Sequence, residues 1–255
     1  MMRFRTINYI LTMLELELRK LKNDRLELYT RAVQPILWLA VYGTVIGHIR
    51  AIPTGNIPYI DYITPAIIVQ SSTFISIFYG LTLVWERESG ILKKLVTTPL
   101  PRYSIIIGRS FASGVRSLFQ FIIITIVALL LGVRFYSPIY YPLAALVIFF
   151  TSSGFASLSV IIASFMRTRE RFMGIGQAIT MPLFFASNGL YPIDLMPLPL
   201  QYIAMGNPLT YINNLCRGLL ITGDLSTLPV DITAVIIFNA LMYILSTISF
   251  KRIIE

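Results

Sequence analysis

The chain has 255 residues, of which 56% are hydrophobic and only 13% are charged. A soluble domain carries about 25% charged residues, so this chain cannot cover a water-facing surface, and much of it must face lipid. Its net charge of +9 does not indicate a nucleic-acid-binding protein, because the basic residues flank apolar runs instead of forming a patch on a polar domain. The single cysteine, Cys216, excludes an internal disulfide and any multi-cysteine metal or cluster site.

Residues 3–25 predict an amphipathic helix that lies flat on the inner membrane surface. Apolar residues recur there at helical spacing and form one stripe: Ile7, Ile10, Leu11, Leu14, Leu18 and Leu21. The charged residues lie largely off this stripe, and the spacing of Glu15 and Arg19 favours an i,i+4 ion pair. The alternative is a helix that packs against a soluble partner.

Six runs of about 20 mostly apolar residues predict six transmembrane helices. They cover residues 30–49, 60–85, 104–133, 138–166, 172–191 and 230–250. With six spans both termini lie on the same side, and 18 of the 21 Lys and Arg residues then fall on that side. The positive-inside rule therefore places both termini in the cytoplasm. The exceptions are Arg50, Arg134 and Arg217.

The segment 192–222 is not predicted to be a further span. Its charge-free part, residues 195–216, contains three prolines and three asparagines. Prolines remove backbone donors, and asparagine side chains are costly in lipid. We expect short helices and turns at the outer face, or a partly re-entrant segment whose backbone is shielded by protein.

The connection between the second and third spans, WERESGILKKLVTTPLPR, holds six charged residues in eighteen positions. Acidic residues come first and Lys93 and Lys94 follow, as suits the two ends of a helix. Each of the prolines Pro99 and Pro101 disfavours the helical conformation of the residue before it. Residues 86–101 are therefore predicted to form a short cytoplasmic helix with an apolar patch. The alternative is a polar loop whose leucines touch the membrane interface.

The sequence lacks the common motifs of enzyme chemistry. There is no G-x-x-x-x-G-K-[ST] phosphate loop, no H-E-x-x-H and no G-x-S-x-G. The deep positions of the spans carry only neutral polar side chains, so no ion relay is predicted. Arg109 and Arg116 are seven residues apart on one face of the third span, where we expect them to snorkel or bind lipid phosphate. Energy for uphill transport is expected to come from another protein.

Two stretches resemble segments of the ABC-2-type permeases, the membrane subunits of ATP-binding-cassette exporters. WERESGILKKLVTTPLPRYSIIIGR is similar to the family's coupling segment, with an E-x-x-G pattern, a Leu-rich helix, T-P-L and a Gly-Arg pair. Its matching residues are Glu86 or Glu88, Gly90, Leu92, Leu95, Thr98, Pro99, Leu100, Gly108 and Arg109. LYPIDLMPLPLQYIAMGNPLTYINNLCRGLL is similar to the outer segment before the family's last span, through Pro192, Pro199, Asn207, Pro208, Leu209, Thr210, Tyr211 and Arg217. The chain looks closest to the drug-resistance, daunorubicin-exporter-like type.

The resemblance implies one all-α integral membrane domain over residues 1–255, in the plasma membrane of a prokaryote. It implies a non-enzymatic subunit without a cofactor of its own, which works as a homodimer with two copies of a separate ATPase that binds ATP and Mg²⁺. The residues implied in coupling to that ATPase are Glu86, Arg87, Glu88, Gly90, Ile91, Leu92, Lys93, Leu95, Thr98 and Pro99. Those implied in the outer cap are Pro192, Asn207, Pro208, Tyr211 and Arg217.

The resemblance also implies a substrate path at the dimer axis, between the second and fifth spans. Its candidate residues are Gln70, Phe74, Phe78, Phe184, Phe185 and Asn188. Aromatic rings with a few amides suit a bulky amphipathic drug or lipid. The alternatives are an exporter of a lipid-linked glycan or glycolipid, a membrane-embedded lipid-modifying enzyme and a scaffold that transports nothing.

Overall fold

The computed structural model of the chain describes residues 11–12, 14–16, 19, 25–55, 57–91, 102–166 and 168–250. All regular structure in these residues is helical, as predicted. The α-helices are α1 (Arg25–Leu37), α2 (Thr44–Ile49), α3 (Tyr59–Glu88), α4 (Arg102–Leu130), α5 (Tyr141–Phe165), α6 (Arg169–Phe185), α7 (Leu198–Gly206), α8 (Pro208–Arg217) and α9 (Leu228–Ser249). Two π-helical turns, Trp38–Gly43 and Gly218–Thr222, and two 3₁₀ turns, Pro138–Tyr140 and Ile193–Leu195, connect some of them.

Within this part of the chain, five helical stretches are long and apolar enough to cross a membrane. They are Tyr29–Ile49, Tyr59–Glu88, Tyr103–Leu130, Pro138–Phe165 and Leu228–Ser249. They correspond to the first four predicted spans and the last one. The first stretch runs from α1 through the π-helical turn into α2 without leaving helical geometry. The chain is therefore an all-α membrane protein.

The fifth predicted span differs from the structure. Helix α6 has 17 residues and ends at Phe185, whereas the sequence predicted a span over 172–191. At 1.5 Å per residue it rises about 25 Å, less than the roughly 30 Å of a bilayer core. The chain leaves the helix where the carbonyl of Asn188 accepts hydrogen bonds from Tyr62 and Arg217.

Before the first span, the described residues 11, 12, 14–16 and 19 are helical. Glu15 and Arg19 form the expected i,i+4 ion pair, with 2.7 Å between Nη2 and Oε1. Leu11 is 54% exposed, so its apolar side chain is open to lipid or to a partner. The other residues of the predicted helix before position 25 lie outside the described residues.

Helix α3 is the centre of the bundle. It packs against α4, α5, α6, α8 and the first span, and most of its residues are buried. Gly80 allows the closest approach to α5, because a Cβ at this position would lie 2.8 Å from Ser159. Small residues at helix contacts let backbones approach in this way inside membranes. The last span, α9, packs on α5 and α8 and exposes much of its apolar surface.

Serine side chains fill the contacts among α3, α4 and α5. The hydroxyl of Ser113 donates to Ser76 at 3.2 Å, and the hydroxyls of Ser110 and Ser157 lie 3.0 Å apart. All four are buried. Such hydrogen bonds between membrane helices contribute about 0.6 kcal/mol each, so the set fixes the register of the three helices.

We call the end of the bundle that leads into residues 89–101 the inner end. The opposite end, which carries residues 50–58, 131–140 and 186–227, is the outer end.

Candidate functional site

The inner end of α3 differs from the sequence prediction. Glu86, Arg87 and Glu88 were expected to begin a short coupling helix, but they form the last turn of α3. The helix ends after them, at Ser89 and Gly90, and Gly90 has a left-handed φ of 75°. Gly at such a position is the common way to end a helix. The charged residues do not end it, because arginines of neighbouring helices pair with two of them.

Glu86 forms a buried ion pair with Arg109 of α4. Arg109 Nη2 donates to Glu86 Oε2, and the two side chains are only 5% and 4% exposed. The expectation that Arg109 reaches lipid phosphate is therefore wrong. The same holds for Arg116, which is buried with its guanidinium 4.9 Å from the centre of the Tyr79 ring.

Glu88 forms a second ion pair, with Arg169 at the start of α6. Arg169 Nε lies 2.7 Å from Glu88 Oε2, and the side chains are 48% and 33% exposed. Thr168 caps α6 by accepting a hydrogen bond from the backbone N–H of Arg171. The last turn of α3 is thus joined to α4 by one ion pair and to α6 by the other.

The remaining coupling residues are only partly described. Ile91 is 46% exposed, and Arg87 and Gly90 are partly exposed. The other coupling candidates lie outside the described residues, and their roles stay predictions: Leu92, Lys93, Leu95, Thr98 and Pro99.

A pocket of about 230 Å³ lies between α1 and α3. From α3 it is lined by the predicted path residues Gln70 and Phe74, together with Ser71 and Ile75. From α1 it is lined by Thr30, Arg31, Gln34 and Pro35, none of which was predicted from the sequence. The signal that could have found them is a glutamine inside an apolar run, since polar residues within spans often mark substrate pathways.

The structure brings three of the predicted path residues together. The ring of Phe78 lies 4.4 Å from that of Phe74, which lines the pocket with Gln70. Phe78 also packs against α6, because a Cβ on Gly176 would lie 3.7 Å from its ring. The three residues therefore form one surface of α3 between the first span and α6.

The other three lie elsewhere. Phe184 is buried with its ring 6.2 Å from Trp38, so it closes the contact between the first span and α6. Phe185 is exposed and lines a separate apolar pocket of about 520 Å³ near α7. Asn188 is buried in a polar network at the outer end.

That outer polar network joins four parts of the chain. The Arg217 guanidinium lies 3.8 Å from the centre of the Tyr62 ring and donates to the carbonyl of Asn188 at 2.8 Å. Asn188 donates to Asn214, which in turn donates to Asp231 of α9 at 3.5 Å. Burial lowers the pKa of Arg217 from its ordinary value, and the Tyr62 ring partly offsets this. The network holds α8 against α3, α9 and the turn after α6.

The remaining predicted outer-cap residues fix the short helices. Asn207 accepts from the backbone N–H of Leu209 as the N-cap of α8, and it donates to the carbonyl of Leu183 at 2.6 Å. Pro208 is the first residue of α8, and the Tyr211 hydroxyl donates to the carbonyl of Met205 at 2.5 Å. Pro192 precedes the 3₁₀ turn Ile193–Leu195.

The described residues contain no group of three or more His, Cys, Asp or Glu that could hold a metal ion.

Comparison with known proteins gives a consistent result. The profile of the ABC-2 type transporter family matches residues 8–221. The chain is 30% identical over 200 residues to the transport permease named ycf38 of Cyanophora paradoxa, covering 75% of this chain and 67% of that protein. It is 25% identical over 192 residues to the doxorubicin resistance ABC transporter permease protein named DrrC of Mycobacterium tuberculosis, covering 75% and 69%. It is 26% identical over 170 residues to the multidrug ABC transporter permease named YbhR of Escherichia coli K12, covering 64% and 44%.

Proposed function

Because the chain belongs to the ABC-2 type transporter family, we propose that it is the membrane subunit of an ATP-driven exporter whose ATPase is a separate protein. It moves lipophilic drug-like or lipid-like molecules out of the cytoplasm or out of the inner leaflet by alternating access. The chain itself is not an enzyme in this proposal, and ATP and Mg²⁺ bind to the ATPase subunit.

The observation that carries the proposal is the attachment of the inner end of α3. Residues 85–109 resemble the coupling segment of the family, and this segment begins with a turn that is joined to α4 through Glu86 and to α6 through Glu88. A push of the ATPase on this connection therefore moves three helices together. Rigid elements tied by ion pairs transmit displacement in this way.

We place the coupling contact on the exposed residues after this turn. Glu86 is buried and already paired, so it does not dock on an ATPase in this arrangement. Gly90 and Ile91 are accessible after the turn, and the predicted apolar patch of Leu92 and Leu95 follows them; Arg87, in the turn itself, is partly exposed. The acidic residues position the connection, and the residues after them bind the ATPase.

The pocket between α1 and α3 supports an amphipathic substrate. Its lining combines the amides of Gln34 and Gln70 with the ring of Phe74. Its volume of about 230 Å³ is somewhat smaller than the roughly 300–1,000 Å³ of a typical small-molecule site, so it holds one part of such a substrate. The names of DrrC and YbhR, which refer to doxorubicin resistance and multidrug transport, support this substrate class.

The surface of α6 supports a homodimer. Gln177 is exposed on this short helix, and no heavy atom lies within 4 Å of a Cβ placed on Gly174. An exposed amide beside a glycine suits contact with another helix better than contact with lipid. We place the second copy here, in the plasma membrane of a prokaryote with two ATPase subunits on the cytoplasmic side.

The test uses the chain co-expressed and purified with a candidate ABC ATPase of the same organism and reconstituted in liposomes. We expect ATP-dependent transport of doxorubicin, and we expect doxorubicin to stimulate ATP hydrolysis. Phe74→Ala should raise the half-maximal stimulating concentration about 10- to 150-fold, because removing an aromatic contact that the substrate buries costs about 1.5–3 kcal/mol.

The matched control is Phe119→Ala, since Phe119 is an exposed aromatic residue on α4 with no place in the pocket. Equal effects of the two substitutions would refute the pocket. Failure to form any complex with the ATPase would refute the function itself. Stimulation of ATP hydrolysis by a lipid-linked glycan but not by doxorubicin would keep the proposed ATP-driven exporter but replace its substrate class.

A further inference from the structure

A cavity of about 720 Å³ opens at the outer end of the bundle, far from the inner connection. It lies between α2, residues 52–55 and 57–58 and the first turn of α3, with Leu131 beyond the end of α4 closing one side. The loop is held by Thr54, whose hydroxyl donates to the carbonyl of Ile57 at 2.6 Å. The volume lies within the range of about 300–1,000 Å³ that small-molecule sites occupy.

Two basic side chains line this cavity, His48 and Arg50. Both residues are exposed, and neither side chain has a hydrogen bond or ion pair within the part of the chain that the structure describes. No carboxylate is found among the described lining residues, so the positive charge is not compensated there. Such a site attracts an anion.

Three arginines, Arg50, Arg134 and Arg217, lie on the outer side against the positive-inside rule, and the structure places them differently. Arg217 is engaged with Tyr62 and Asn188, as described above. Arg134 is exposed at the outer end but does not line the cavity. Arg50 alone of the three faces this space.

The backbone at Arg50 points to the same conclusion. Arg50 ends α2 with φ 50° and ψ 36°, and it is the one non-glycine residue with positive φ among the described residues. Glycine or asparagine usually takes this position, because a Cβ there crowds the backbone. An arginine kept at a strained position in an uncompensated cavity suggests a function for its side chain.

The remaining lining combines aliphatic side chains with a few hydroxyls. Ile52, Ile57, Ile60 and Leu131 provide the aliphatic surface, and the hydroxyl residues are Thr44, Thr54 and Tyr59. On the same helix α2, the apolar side chains of Val45 and Ile49 are 53% and 60% exposed. An inorganic anion would leave that surface uncovered, whereas a molecule with an anionic head and an apolar chain would cover it.

We propose that this cavity binds an anionic phospholipid from the leaflet at the outer end, with its phosphate on Arg50 and His48. The planar guanidinium of Arg50 matches two phosphate oxygens, and His48 donates from a ring nitrogen. The first part of an acyl chain packs on the isoleucines. The site is separate from the pocket between α1 and α3 and does not depend on the proposed transport function.

The test is native mass spectrometry of the full chain purified in detergent and mixed with equal amounts of phosphatidylglycerol and phosphatidylcholine. We expect phosphatidylglycerol to remain bound at least tenfold more often. Arg50→Gln, and to a smaller extent His48→Gln, should remove this preference. Arg134→Gln should keep it, because it removes one outer-end cation without touching the cavity.

Three results would overturn the proposal. Equal retention of the two lipids would show that the cavity does not distinguish their head groups. An equal loss in Arg134→Gln would show general attraction to the basic outer end. Displacement of phosphatidylglycerol by inorganic phosphate alone would make this an anion site instead of a lipid site. Arg50→Gly is the control for misfolding, because glycine adopts the left-handed conformation without strain. This variant should unfold at a temperature no lower than that of the wild type and should still lose the lipid preference.

Discussion

Replacing Glu86 by Gln tests the buried ion pair at the inner end of α3. The substitution keeps the shape of the side chain but leaves the guanidinium of Arg109 without this carboxylate, where the two side chains are 5% and 4% exposed. Breaking a buried pair from one side destabilises a protein by about 3–5 kcal/mol. At about 2–4 °C per kcal/mol for a chain of this size, the Tm should fall by about 6–20 °C. The measurement is thermal unfolding of the purified chain in detergent.

The matched control is Glu88→Gln, because Glu88 makes an ion pair of the same chemistry that is 33–48% exposed. Solvent screens such a pair, so its loss should cost about 0–1 kcal/mol. The double variant Glu86→Gln with Arg109→Gln should unfold at a higher temperature than either single variant, since no lone buried charge remains. Equal Tm values for Glu86→Gln and Glu88→Gln, or an additive loss in the double variant, would refute the reasoning.

Glu86→Gln also tests whether Glu86 positions the connection after α3 or binds the ATPase directly. Because Glu86 is buried, Glu86→Gln should leave binding of the ATPase unchanged while it lowers substrate-stimulated ATP hydrolysis. Loss of binding, measured by co-purification, would instead assign Glu86 to the docking surface.

Further predictions concern helix packing, the outer segment and the cysteine. Gly80→Ala should destabilise the chain by about 1–3 kcal/mol in thermal unfolding, because its Cβ would lie 2.8 Å from Ser159, whereas Gly206→Ala, with no neighbour within 4 Å, should not. Asn207→Ala should cost about 1–2 kcal/mol by the same measurement, since it removes the N-cap of α8; an unchanged Tm would contradict that role. Burial raises the pKa of the Cys216 thiol to about 12, so a maleimide should label it at neutral pH only after unfolding, and labelling of the folded chain would contradict its burial.

The fold class could be predicted because lipid imposes a simple rule on composition. Runs of about 20 apolar residues must become helices that satisfy their own backbone, and five helices of the described chain agree with this. The rule fails for α6, which is shorter than a bilayer core. The hydrogen bonds to Asn188 that help to end it come from Tyr62 and Arg217, 126 and 29 residues away. Local sequence does not contain such partners.

The same reason limits the prediction of the candidate sites. Gln70, Phe74 and Phe78 recur every four residues, so helix geometry alone puts them on one face. Phe184 and Phe185 are neighbours, and successive residues on a helix point about 100° apart, so only one of them is exposed. The sequence prediction placed the end of α3 too early, because the partners of Glu86 and Glu88 lie 23 and 81 residues away in the chain. The local charge pattern does not reveal such distant partners.

The central claim is that an external ATPase drives this chain through the connection after α3. The most direct measurement is ATP-dependent transport of doxorubicin by liposomes that contain the chain alone, the chain with the ABC ATPase that co-purifies with it, or that pair with Ile91→Asp in the exposed start of the connection. We predict transport and ATP hydrolysis only with the ATPase present, and Ile91→Asp should abolish transport while the chain stays folded. ATP hydrolysis by the chain alone, or full transport in Ile91→Asp, would contradict the account.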